Sequence, residues 1–126
     1  MKFHHIGVAC KNIDEEIVNI SKIHTIVKQS PKVFDEQQNA ELVLLTLADG
    51  TNIELISGKQ VETFLKKNIT YYHICFEVDD INTEIERLVN ENAFVISPPK
   101  PALLFQNRLV AFLNVSYGMI ELLNSK

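Results

Sequence analysis

Two stretches decide the fold: Phe3-His4-His5-Ile6-Gly7-Val8-Ala9-Cys10-Lys11-Asn12-Ile13 and Tyr71-Tyr72-His73-Ile74-Cys75-Phe76-Glu77-Val78-Asp79-Asp80-Ile81. Sliding the chain on itself by 68 positions lays the first over the second, so that His5 meets His73, Ile13 meets Ile81 and Ile17 meets Ile85. Further along, at an offset of 67, Asn52-Ile53-Glu54-Leu55-Ile56 overlies Met119-Ile120-Glu121-Leu122-Leu123, and Leu42-Val43 overlies Leu109-Val110. One loop indel separates the two registers. Two long copies point to a duplicated half-domain rather than to a solenoid of short repeats.

Each copy carries the same pattern of elements. A strand over 3–10 leads through Lys11-Asn12 into a helix, because Asn12 and Glu15 have capping-box spacing and Ile13, Ile17 and Ile20 share one helical face. A polar stretch with Pro31 and Asp35-Glu36-Gln37-Gln38-Asn39 follows. Strands near 41–48 and 52–57 are joined by Asp49-Gly50, a strong hairpin turn pair. In the second copy a strand over 71–78 precedes a helix with Ile81, Ile85, Leu88 and Val89 on one face. A strand near 93–97 ends at Pro98-Pro99-Lys100-Pro101, a break that no central strand would contain. Strands over 108–114 and 118–123 complete the copy. The expected fold class is α+β, with two βαβββ modules, 1–57 and 71–126, in a single domain of 1–126. A short helical linker over 58–70 joins them.

The composition narrows what such a fold does. A chain of 126 residues with 46% hydrophobic and 22% charged residues has enough apolar material for a core without disulfides. Its longest apolar runs fall far short of the roughly 20 residues that span a bilayer, so no membrane partner is expected. Net charge is −4 with only two arginines, Arg87 and Arg108, which disfavours nucleic acid as a partner. Cys10 and Cys75 form neither a disulfide framework nor a CxxC pair. The opening MKFHHIGVAC places two histidines where an export signal needs its apolar core, so a cytoplasmic protein is expected.

Chemistry enters at the repeated positions. Side chains alternate along a strand, so His5 shares a face with Phe3, Gly7 and Ala9, and His73 with Tyr71, Cys75 and Glu77. Glu54 and Glu121 each stand between apolar residues of a strand, where a carboxylate is costly unless compensated. Two histidines and two glutamates related by one duplication make a ligand set for a divalent first-row ion, here Ni, Co, Zn or Mn. A lone strand histidine is more often a core or edge residue; the shared register is what sets these four apart. Outside that register, His4 is expected on the outer side of its strand and His24 on the surface. Cys75 reads as a small buried hydrophobe and Glu77 as solvated. The 35–38 run reads as an exposed loop able to lend a second acid or base, and Arg108 as either a substrate-anion ligand or a strand-edge ion pair.

His5-Ile6-Gly7-Val8-Ala9, the run from His73 to Ile81 and Gly118-Met119-Ile120-Glu121-Leu122 together resemble the vicinal oxygen chelate (glyoxalase/bleomycin-resistance) superfamily over nearly the whole chain. The resemblance implies a cupped, partly open barrel of paired βαβββ modules around a metal site. It carries the metal positions onto His5, Glu54, His73 and Glu121, and the catalytic base onto Glu121. It also implies proton abstraction α to a carbonyl or thioester, through a metal-bound enediolate or enolate. Within the superfamily the run from His73 to Ile81 resembles both methylmalonyl-CoA epimerases and bacterial glyoxalase I-like proteins, and Asn107-Arg108-Leu109-Val110-Ala111-Phe112-Leu113 is more similar to the latter. Epimerases usually carry an Asp-Ser-Pro-Ile-like segment where this chain has Ser57-Gly58-Lys59-Gln60-Val61, so a glyoxalase I-like lyase or isomerase is the first expectation. The alternatives are a methylmalonyl-CoA epimerase-like enzyme and a non-catalytic small-molecule binder of the same fold. The implied partners are a hemithioacetal or an acyl-CoA thioester, and a second copy of the chain in a homodimer, which the isoleucines at 13, 17, 20 and 23 favour.

Overall fold

A computed structural model describes all 126 residues, with nine strands and three helices in a mixed α+β fold. The chain falls into two compact units, His5–Tyr72 on the one hand and Met1–His4 with His73–Lys126 on the other.

In the unit His5–Tyr72 the strands are β1 (Lys2–Ala9, of which the last five residues belong here), β2 (Ile26–Gln29), β3 (Val33–Asp35), β4 (Ala40–Leu47) and β5 (Asn52–Gly58). Their order is β2-β4-β5-β1, with β3 also pairing β4. β1 and β5 run parallel, with Gly7 opposite Glu54 and Ala9 opposite Ile56, and β4 runs antiparallel to β5. Helix α1 (Ile13–Ser21) starts where expected, because the Asn12 side chain accepts a hydrogen bond from the Glu15 amide at 2.9 Å. Its face of Ile13, Ile17 and Ile20 packs on Val43, Leu45 and Leu55. Ile23 lies past the helix end and is exposed. Asp49-Gly50 makes the turn between β4 and β5, with Gly50 at φ 90° and the Asp49 carboxylate accepting from the Thr51 amide.

The stretch after α1 is more ordered than its polarity suggests. Pro31 divides it into β2 and β3, and Ser30 holds both to β4: its amide donates to the Leu44 carbonyl at 2.9 Å and its hydroxyl accepts from the Leu44 amide at 2.8 Å. The segment after β5 is a 3₁₀ turn, Lys59–Val61, running into the short helix α2 (Glu62–Lys66).

The second unit repeats the arrangement with β6 (Tyr71–Val78, from His73 onward), α3 (Ile81–Asn90), β7 (Phe94–Ala102), β8 (Arg108–Val115) and β9 (Gly118–Asn124), in the order β6-β9-β8-β7. β6 and β9 are parallel, and Cys75 stands opposite Glu121. Asp80 caps α3 by accepting from the Thr83 amide at 3.1 Å, while the Ile81 amide donates to the Asn124 side chain at 2.9 Å. Ile81, Ile85 and Leu88 pack on Ala111, Leu113, Ile120 and Leu122; Val89, expected on that face, turns outward.

β7 corrects the expectation that a strand ends at residue 97. It continues through Pro98, Pro99 and Pro101 to Ala102 and pairs with β8 at the end of its unit's strand order, where register shifts occur around Ser97. An edge position removes the objection, since a proline there need not supply a ladder donor on both sides.

Candidate functional site

The duplicated positions form one buried His–Glu pair in each unit. In the first, the alternation of β1 turns His5, Gly7 and Ala9 inward, and all three are buried. Parallel pairing places Glu54 beside Gly7, the next residue on that face. His5 Nε2 then lies 3.6 Å from Glu54 Oε1, with the two residues 0% and 4% exposed. In the second unit His73 Nε2 lies 3.2 Å from Glu121 Oε1, at 4% and 3% exposure. Phe112, opposite Glu121 on β8, meets the His73 ring edge to face at 5.3 Å between centroids.

An ionised carboxylate this deeply buried is costly unless a cation or hydrogen-bond donors stand beside it. The donor set fits a divalent metal. Imidazole nitrogen and carboxylate oxygen both sit about 2.0–2.2 Å from a zinc-like ion, so two such ligands at tetrahedral or octahedral angles lie about 2.8–3.6 Å apart. The separations within the two pairs, 3.2 and 3.6 Å, fall in the upper part of that span. Nitrogen and carboxylate oxygen are also the donors that suit Zn, Co, Ni and Mn.

The other residues singled out above resolve as follows. His4 is half-buried and stands edge-on to Phe105 at 5.4 Å, and His24 is exposed as expected. Cys75 is fully buried. Glu77, expected to be solvated, is half-buried and ion-paired with Arg108, whose Nε also donates to the Asn124 carbonyl at 2.8 Å. Of the two readings of Arg108, the ion pair is the one observed. Asp35, expected in an exposed loop, ends β3 and is buried, accepting from the Gln37 amide at 2.9 Å and from the Gln38 side chain at 3.1 Å. Phe112 was not singled out beforehand; the signal was its place on β8, two residues from Val110 and Asn114 and therefore on one face with them.

Residues 4–112 match the Glyoxalase/Bleomycin resistance protein/Dioxygenase superfamily. The chain is 28% identical over 119 residues to the mitochondrial methylmalonyl-CoA epimerase of Dictyostelium discoideum, covering 90% of this chain and 70% of that protein. It is 25% identical, again over 119 residues, to the ethylmalonyl-CoA/methylmalonyl-CoA epimerase of Cereibacter sphaeroides, covering 90% of this chain and 87% of that one. The crystal structure of methylmalonyl-CoA epimerase from Mycobacterium tuberculosis superposes with a TM-score of 0.84 at 16% identity, over 99% of this chain and 88% of that one, a likeness of fold. With the family match spanning most of the chain, the protein belongs to the Glyoxalase/Bleomycin resistance protein/Dioxygenase superfamily.

Proposed function

We propose that this protein is an epimerase of 2-alkylmalonyl-CoA thioesters, and that His5, Glu54, His73 and Glu121 together hold one divalent metal ion. The observation that carries the reading is the same buried His–Glu pair in both halves of a chain whose two relatives named above are both epimerases. These relatives favour epimerisation over the glyoxalase I-like reaction that the sequence ranked first, because both align over 90% of the chain.

A bound divalent ion supplies Lewis-acid polarisation of a substrate carbonyl oxygen. The chain's own part is proton movement. Glu121 takes the proton from C2, and its burial among apolar neighbours keeps water from competing for that proton. Epimerisation breaks one C2–H bond and makes another on the opposite face, so no other atom is gained or lost. Delivery to the opposite face calls for a second acid.

The test is deuterium incorporation from D₂O, followed by NMR with the metal-loaded protein. C2 of methylmalonyl-CoA should exchange, and the hemithioacetal of methylglyoxal and glutathione should not be converted. The reverse result would overturn the epimerase reading in favour of the glyoxalase I-like one. A twofold homodimer belongs to the same proposal, supported by exposed apolar side chains such as Ile23 and Tyr71. Sedimentation velocity at micromolar concentration should give the dimer mass, and a monomer mass would contradict it.

A further inference from the structure

We infer that Phe112 is the residue that limits the size of the substrate's 2-alkyl group, an inference that rests on the epimerase reading above. Four residues form one row across the second unit in cross-strand register: Cys75 on β6, Glu121 on β9, Phe112 on β8 and Ser97 on β7. Ser97 completes the row as the partner of Phe112. Register partners share a face of the sheet. The carboxylate that takes the C2 proton is therefore flanked by a fully buried cysteine on one side and an aromatic ring on the other. Along its own strand its same-face neighbours are Met119 and Leu123, both apolar.

Phe112 differs from the buried members of this set in being only half-buried, so part of its ring remains accessible. Its orientation is held, because the ring stands at 88° to the His73 imidazole at 5.3 Å. A carbon that presents its hydrogen to Glu121 carries its other substituents to either side of that hydrogen. The polar ones, carboxylate and thioester, have no hydrogen-bonding partner on the phenyl ring, whereas an alkyl group loses water-exposed surface against it. A rigid ring held by a neighbour also sets a limit on length, since room for further methylenes opens only if the ring moves or is cut back.

The experiment compares kcat/KM for C2 deuterium incorporation with methylmalonyl-, ethylmalonyl- and butylmalonyl-CoA, using wild type, Phe112→Ala and Phe112→Leu. Wild type should favour methyl over butyl by about 1,000-fold, since butyl adds three methylenes and each misfitting one costs roughly tenfold or more. Phe112→Ala should bring that ratio to within about tenfold, with Phe112→Leu intermediate. Thermal melts and metal content check that the variants remain folded and loaded, and the leucine variant, a smaller change in volume, carries the test if alanine unfolds the protein. Active variants that keep the wild-type ratio would overturn the role of Phe112 and leave the epimerase reading intact. A wild type inert toward all three thioesters would overturn both.

Discussion

Cys75 and Glu121 are register partners on the parallel strands β6 and β9, and Cys75 lies two residues beyond His73. Gly7 and Glu54 stand in the same relation on β1 and β5, with Gly7 two residues beyond His5. Parallel pairing with a period of two thus brings a histidine and a glutamate, 49 or 48 residues apart in sequence (5 to 54, 73 to 121), into one buried pair in each unit. The equivalence of the two registers separates these four residues from His4 and His24.

Glu121→Gln tests the role of that carboxylate. The amide keeps an oxygen donor and the shape of the side chain but loses the base. Exchange of the C2 proton should fall by about 10²–10⁴-fold, the usual contribution of a positioned base, while part of the metal affinity remains. Exchange near the wild-type rate, read by NMR in D₂O, would show that another group takes the proton.

Gly58→Ala should destabilise the first unit. Gly58 has φ 138°, and a methyl group there would come within 2.7 Å of the Asn39 carbonyl oxygen and 2.9 Å of the Ala40 Cα. Both obstacles are backbone, so neither can swing aside. A strained backbone conformation alone costs about 1–3 kcal/mol, and the clash adds to it. The urea midpoint should drop with little change in slope, and an unchanged midpoint would contradict the geometry.

Cys10 should resist alkylation in the folded protein. Burial, with the nearby Glu16 charge as a second cause, raises its thiol from 9.0 to about 11. The thiolate is the reactive form, so iodoacetamide at pH 8 should label Cys10 only after unfolding. The sign of the linked stability follows. The folded state holds the proton more tightly, so this contribution is full below about pH 9 and is lost as pH rises through about 11. Rapid labelling of the native protein at pH 8 would show that the thiol is open to solvent.

Much of this was legible in the sequence because the duplication makes two weak signals agree. One histidine on a strand says little, but His5 and His73 in register, with Glu54 and Glu121 nearly so, identify the buried pairs. Local chemistry was legible too, as the Asn12 and Asp80 caps and the Asp49-Gly50 turn show. The sequence did not reveal whether Pro98, Pro99 and Pro101 break a strand or line an edge, because only the strand order places β7 at the end of its unit. Nor could it pair Glu77 with Arg108, 31 residues away, or set Phe112 against His73, since both contacts depend on neighbours chosen by the sheet.

The central claim is that both His–Glu pairs serve one ion, and metal stoichiometry tests it most directly. The metal-stripped protein is titrated with Co²⁺ or Zn²⁺ and assayed for bound metal per chain, alongside His4→Ala, His5→Ala and His73→Ala. Wild type and His4→Ala should bind one ion per chain and melt higher with it. Each of the other two variants should bind far more weakly and lose that rise, although each leaves the opposite pair intact. Two ions per chain in wild type, with one remaining in each single variant, would mean that the pairs act separately and would contradict the account.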